Sequence, residues 1–164
     1  SEIHSGSIIA KITHSDGELN IKTSRYEKLL EKDKKYTLEE FLLFANKIKS
    51  RRFELKEKLK QIKSDGKTIN AYGAPAKGNT LLNYFEIDKS LIDKSVEINE
   101  LKIGNYLPGS HIPITKETKE DRPDYYLLLS HNFEEEIIKK NRDIMAKGTK
   151  FIIPFPTYKV IGVD

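Results

Sequence analysis

The sequence predicts an α/β fold, a three-layer Rossmann-like arrangement in which a mostly parallel sheet has helices on both faces. Three observations lead to it. Short β-branched runs alternate with helical patterns along the chain. A strand ending at Tyr72 passes through a glycine turn directly into a helix, and a second apolar run, Ser95–Ile98, follows at the distance of a βαβ unit. The 164 residues, 37% hydrophobic with 8 Tyr and 7 Phe, suit one domain with a core of its own and exclude disordered and low-complexity classes. No internal repeat or linker divides the chain, which reads as a single domain over residues 1–164.

The elements follow in order. Ser7-Ile-Ile-Ala-Lys-Ile-Thr13 reads as an initial strand closed by the Asp16-Gly17 turn. Thr37-Leu-Glu-Glu40 has the form of a capping box, in which the Thr37 hydroxyl accepts a backbone N–H while Glu40 reaches back. Phe41, Phe44, Ile48, Phe53, Leu55, Leu59 and Ile62 then recur near helical spacing, so one long amphipathic helix is expected to about Lys63. Asp65-Gly66 ends it, Lys67–Tyr72 is a short buried strand, and Gly73–Gly78 is the turn into a helix beginning near Asn79-Thr80-Leu81. Ser95–Ile98 should pair parallel to the first of these strands. Gly104–Pro113, with two glycines and two prolines, reads as a structured loop. Asp124–Leu129 is a third strand, Glu134–Lys147 a helix stopped by Gly148, and Lys150–Ile153 a fourth strand, broken by Pro154-Phe155-Pro156 before a last extended piece, Tyr158–Ile161.

Charge narrows the function classes. Lys+Arg number 29 against 25 Asp+Glu, a formal net charge of +4, with the two signs interleaved as on an ordinary soluble surface. Only Arg25, Arg51, Arg52, Arg122 and Arg142 are guanidinium groups, and lysine is the poorer residue for bidentate phosphate or guanine readout. The lysine-rich face of the long helix, interrupted by Glu54 and Glu57, reads as a solvated surface, and no nucleic-acid partner is expected. Zero cysteines exclude disulfides and thiolate metal sites. His4, His14, His111 and His131 are too dispersed for a metal centre. No apolar run approaches the roughly 20 residues of a membrane span, and Ser1–Ser7 lack a signal-peptide pattern, so a cytoplasmic setting is expected.

In an open parallel sheet, ligands bind beyond the carboxyl ends of the strands, where turn N–H groups and the following helix N-terminus favour an anion. Gly73, Ala74, Pro75, Ala76, Lys77, Gly78, Asn79 and Thr80 fall at that place. The two glycines allow a tight turn and close backbone approach, Lys77 adds a point charge, and Asn79 and Thr80 can cap the helix or donate to phosphate oxygens. A diphosphate fits this chemistry; a tight strand-to-helix turn without a ligand fits the same pattern. Lys77 precedes Gly78 instead of following it, so this is no Walker loop, and alanine and proline fill the interior where G-x-G-x-x-G would need glycine. Glu97, at the end of the next strand, stands where a ribose-binding carboxylate is expected.

Several segments together resemble a known family: Tyr72-Gly-Ala-Pro-Ala-Lys-Gly-Asn-Thr-Leu-Leu-Asn-Tyr84, Tyr106-Leu-Pro-Gly-Ser-His-Ile-Pro-Ile114, Arg122-Pro-Asp-Tyr125, Asn132 with Glu136, Phe151-Ile-Ile-Pro-Phe-Pro156, and the opening His4-Ser-Gly-Ser7. They look like the C-terminal domain of the S-adenosylmethionine-dependent sugar C-methyltransferases, which methylate a carbon of a nucleotide-linked deoxysugar. The resemblance covers nearly the whole chain. It implies a partner domain upstream that holds S-adenosylmethionine and the catalytic residues, a zinc-binding domain before that, and no catalytic residue, metal or cofactor in this domain.

By the same resemblance, Gly73–Thr80 would serve the nucleotide diphosphate, with Glu97, Asn99, Lys102 and Asn132 as further substrate contacts; His111, from its place in the proline-glycine loop, either contacts the ligand or stabilises the turn through its ring N–H. Glu97-Ile-Asn-Glu-Leu-Lys-Ile-Gly104 lacks the proline and glutamine of the family's Asp-x-Asn-Pro-x-Lys-Gln-Gly run, which bears on base or ribose specificity. Ser130-His131-Asn132 stands where the family has Pro-Trp-Asn, replacing a large apolar wall with a polar, titratable one. The expected role is to bind a nucleotide-diphosphate deoxysugar, inactive alone. The alternative is a free-standing nucleotide-binding or regulatory module on the same fold.

Overall fold

The structure is a computed structural model that describes residues 12–17, 23–118 and 120–162. The strand expected over Ser7–Thr13 lies outside the described residues except for Ile12 and Thr13, which are not in a strand, and His4–Ser7 lies outside them altogether. The chain divides into two compact units, residues 1–49 and 50–164.

The first unit contains a helix that the sequence reading did not include, α1 (Ser24–Asp33), capped by Thr23, whose side chain accepts from the Tyr26 N–H at 3.3 Å. It also contains the start of α2 (Leu38–Ser64), where the capping box forms as expected. The Thr37 N–H donates to Glu40 Oε2 at 2.7 Å and the Glu40 N–H to Thr37 Oγ1 at 3.2 Å. Leu38, Phe41, Leu42 and Phe44 on this first stretch are exposed. Leu55 and Leu59, one turn apart in the second unit, are buried, so the helix is fixed by packing along its later turns.

The second unit is built on six strands in the order β3-β2-β1-β4-β5-β6: β1 (Ile69–Tyr72), β2 (Ser95–Glu97), β3 (Ile114–Lys116), β4 (Tyr125–Leu128), β5 (Lys150–Ile153) and β6 (Lys159–Ile161). All pairs are parallel except β5 with β6. Strand alternation sends Tyr72, Val96, Tyr126, Leu128, Phe151 and Ile153 to one face, where they pack with Ile144 and Met145. Ile69, Ala71, Leu127, Leu129 and Ile152 are buried on the other. There α3 (Ala76–Phe85) lies so close that a methyl group on Gly78 would stand 2.7 Å from Leu129 Cβ. Helices therefore cover both faces of a mostly parallel sheet, the Rossmann-like α/β arrangement that the sequence predicts. No helix among the described residues is long and apolar enough to cross a membrane.

Three details differ from the sequence reading. The turn after β1 is Gly73–Pro75 alone, because α3 begins at Ala76 with Pro75 as its N-cap. Lys77, Gly78, Asn79 and Thr80 are therefore helical, and Gly78 serves helix-to-sheet packing where a turn residue was expected. The segment expected as one helix over Glu134–Lys147 is a 3₁₀ turn (His131–Phe133), α4 (Glu134–Lys140) and α5 (Arg142–Met145), broken at Asn141. And β3 emerges directly from the glycine and proline loop as an edge strand of three residues.

Candidate functional site at the strand carboxyl ends

From β1 the chain fills one edge of the sheet through β2 and β3, then returns to β4 on the other side of β1. The order reverses between β1 and β4, and a crevice for ligand opens beyond the carboxyl ends of strands at such a reversal. The turn after β1 and the turn after β4 meet there. Gly73 has φ +84°, and a Cβ on it would lie 2.2 Å from Ser130 Oγ, so glycine is required both for the conformation and for the approach of the two turns. The Gly73 N–H donates to the Val96 carbonyl at 2.8 Å, and Ser95 Oγ donates to the Gly73 carbonyl at 2.9 Å.

Ala74 is held by the end of β2. Its N–H donates to Glu97 Oε2 at 2.9 Å and its carbonyl accepts from Lys102 Nζ at 2.8 Å. The two charged groups stand 3.9 Å apart. Glu97 Oε1 accepts from the N–H groups of Ile98 at 2.9 Å and Asn99 at 3.1 Å. Burial pushes the Glu97 carboxyl up, but the N–H groups of Ala74, Asn99 and Ile98 and the Lys102 charge outweigh it and hold it below its ordinary range. Asn99 Oδ1 in turn accepts from the Leu101 N–H at 3.0 Å. Glu97, Asn99 and Lys102 thus gather beside the turn, and much of their bonding capacity goes into shaping it.

The first N–H of α3 to be bonded within the helix is that of Asn79, to the Pro75 carbonyl at 3.0 Å. The N–H groups of Ala76, Lys77 and Gly78 precede it. Pro75 supplies no capping side chain and the first turn contains no acidic residue; the start of α3 has exposed Lys77 within its first turn and the Glu97 carboxylate bonded to Ala74 just before it. Asn79 and Thr80 are used differently from the sequence expectation of capping or phosphate donation. Thr80 Oγ1 donates back to the Ala76 carbonyl at 3.1 Å, and Asn79 Oδ1 is buried with no hydrogen-bond partner among the described residues.

Past β4, Ser130 leads into the 3₁₀ turn. The His131 ring meets Phe155 edge-on at 6.2 Å between centroids, and Asn132 and Phe133 are exposed. An open pocket of about 530 Å³ lies here, lined by His131, Asn132, Phe133 and the glutamates that begin α4, with Lys159 paired to Glu134 at 2.5 Å. Ser130, Phe133 and Phe155 were not among the sequence-selected site residues. Their signal is position, since Ser130 and Phe133 come one and four residues after Leu129 at the end of the apolar run of β4, and Phe155 follows β5 at Pro154.

His111 is not brought to this crevice. It sits before β3 at the amino ends of the strands, with Lys89, Asp93, Tyr106 and Pro113, around a separate open pocket of about 620 Å³. The intervening segment doubles back, with the Leu107 N–H on the Ile112 carbonyl at 2.9 Å and Tyr106 bridged antiparallel to Pro113. Among the described residues no group of three or more His, Asp or Glu side chains is arranged to hold a metal ion.

Residues 2–156 match the family described as the C-methyltransferase C-terminal domain. The chain is similar to the C-methyltransferase NovU of Streptomyces niveus, 32% identical over 168 residues, which takes in 100% of this chain and 40% of that protein. It therefore spans about 40% of the length of the curated relative it matches.

Proposed function

Because the chain belongs to the C-methyltransferase C-terminal domain family, we propose that it is the substrate-holding domain of an S-adenosylmethionine-dependent sugar C-methyltransferase. In this reading it binds a nucleotide-diphosphate deoxysugar at the carboxyl ends of β1, β2 and β4. The observation that bears most weight is the start of α3 at the strand-order reversal, which has no capping side chain and no acidic residue in its first turn, beside exposed Lys77. The N–H groups of Ala76, Lys77 and Gly78 would receive the diphosphate, with Lys77 as a mobile counter-charge. The domain's part in the reaction is positioning. It holds the sugar while proton removal and methyl transfer take place on groups of a partner methyl-donor domain, which also holds S-adenosylmethionine.

Calorimetric titration of the chain with thymidine and uridine diphosphates and their hexose derivatives tests this. Binding is expected, and Lys77→Ala should weaken it about 10-fold, the loss of one charge-assisted contact worth roughly 1.4 kcal/mol. Absence of heat with every one of these ligands would remove the assignment.

A further inference from the structure

The helices of the first unit bury nothing. From Ser24 to Lys49 every residue is exposed except Ala45 and Ile48, which are half-buried. The exposed residues are nevertheless patterned. On α1, Tyr26, Leu29 and Leu30 recur at i, i+3 and i+4 and share one face. On α2, Leu38, Phe41, Leu42, Ala45 and Ile48 form a second stripe, with Glu40, Lys47 and a lone Leu43 on the opposite side. Apolar stripes of this width, roughly 100° or more, belong to helices that pack on a core. With 10 residues, α1 is also shorter than the roughly 12–15 at which an isolated helix is even marginal in water. Its Thr23 cap and the exposed Glu31–Lys34 pair add little. Scattered exposed leucines are ordinary, but two stripes on adjoining helices form an interaction surface.

The occupant follows from how much of a C-methyltransferase this chain represents. It takes in 40% of NovU and matches a family described as a C-terminal domain, so more than half of that protein lies outside the match, on the amino-terminal side. The match takes in 100% of this chain, so the counterpart of the first unit adjoins that larger part along the chain. A neighbour joined in this way meets the stripes at an effective concentration of about millimolar, which a second copy of the chain does not reach. We infer that the apolar faces of α1 and of Leu38–Ile48 dock an apolar surface of the methyl-donor domain of the same enzyme. This rests on the reading of the chain as the substrate-holding domain of such an enzyme. It gives the first unit the task of joining the two domains and leaves the sheet unit to the ligand.

Hydrogen exchange in the complete enzyme, compared with the 164-residue chain alone, tests this. In the chain alone the amides of α1 and of Leu38–Ile48 should exchange at nearly unprotected rates, and in the complete enzyme at least about 100-fold more slowly. Leu29→Glu and Leu42→Glu exchange one good helix former for another at exposed positions, so the urea midpoint of the chain alone should not move. In the complete enzyme each should lower protection about 10-fold or more in the helix that carries it, as for one leucine lost from an apolar interface, with the sheet amides unchanged. Equal exchange in the two proteins overturns the docking face, and so does protection that neither variant reduces. Protection of these helices in the chain alone, whether it sediments as a monomer or as a dimer, overturns it as well. Calorimetry with thymidine diphosphate keeps the two readings apart. Nucleotide binding with unprotected helices overturns the docking face alone, and protected helices without nucleotide binding overturn the substrate reading alone. A complete protein without a methyl-donor domain overturns both.

Discussion

At Ala74 both backbone groups are taken by side chains from the end of β2, the N–H by Glu97 and the carbonyl by Lys102. The non-helical turn between β1 and α3 is three residues long, so fixing one peptide fixes the direction in which α3 starts. Glu97→Gln replaces one of two working oxygens by an N–H₂ group, which would face a donor whichever way the amide turns. A loss of about 1–2 kcal/mol at neutral pH is expected, measured by urea unfolding. The acid dependence has a definite sign. Because the folded chain holds the Glu97 carboxyl below its ordinary value of 4.5, the stability it contributes is complete above that value and is lost as pH falls through the lower, folded value. Unfolding free energies measured from pH 7 down to pH 3 should therefore decline more steeply in the natural chain than in Glu97→Gln. The Ala74 amide proton resonance should titrate over the same range, and coincident acid profiles for the two proteins would rule out this role for Glu97.

The break between α4 and α5 follows from one side chain. Asn141 Nδ2 donates to the Ile137 carbonyl at 2.8 Å and to the Tyr72 hydroxyl at 3.1 Å, drawing the helix end toward the sheet. The same hydroxyl donates to Glu117 at 2.5 Å, and Lys140 reaches the other Glu117 oxygen at 2.7 Å, so β1, the end of β3 and α4 are tied through Tyr72. Burial, with the Glu117 bond second, pushes the Tyr72 hydroxyl up and keeps it neutral and donating. Asn141→Ala favours helix intrinsically, yet it removes two hydrogen bonds, one buried and one partly buried, and a net loss of about 1 kcal/mol is expected in thermal or urea unfolding. A gain in stability would show that the break is not held by these bonds. The comparison with sequence divides along the same line. The Thr37 capping box, the strands around Tyr72, Val96, Leu127 and Ile152, and the parallel α/β class were legible because they rest on local pattern and apolar alternation. The break at Asn141 was not, because its cause lies 69 residues away in sequence at Tyr72. Nor was β3, since three residues after a proline show no period and become a strand only by pairing with β2. The start of α3 is hidden in the sequence because glycine reads as a turn signal at Gly78, where its small size serves contact with Leu129. In the candidate site, the turn after β1 was legible from its glycine and its place after a strand. The approach of Ser130 and the clamp of Glu97 and Lys102 on Ala74 depend on strand order, which no local pattern specifies.

Strand order also separates two loops that the sequence placed in one site. The order β3-β2-β1-β4-β5-β6 gathers Gly73, Glu97 and Ser130 at the carboxyl ends of neighbouring strands. The antiparallel return of the chain before β3 takes His111 to the opposite ends, beside Asp93. There His111 has a φ of +54°, a left-handed conformation that a residue with a side chain adopts at a cost. Its N–H donates to the Leu107 carbonyl at 3.0 Å, closing the turn, and its ring is exposed. The backbone role needs no imidazole, and glycine meets the same conformation without steric penalty. His111→Gly is therefore expected to raise the unfolding free energy by about 0.5–1 kcal/mol, read from urea denaturation. It should also leave the affinity for thymidine diphosphate and its glucose derivative within about 2-fold by calorimetry, since the ligand groups argued above all lie at the other end of the sheet. Weakened binding in this variant, with stability unchanged or raised, would mean that the ligand reaches past the strand ends to His111, and the site would have to be redrawn around both loops.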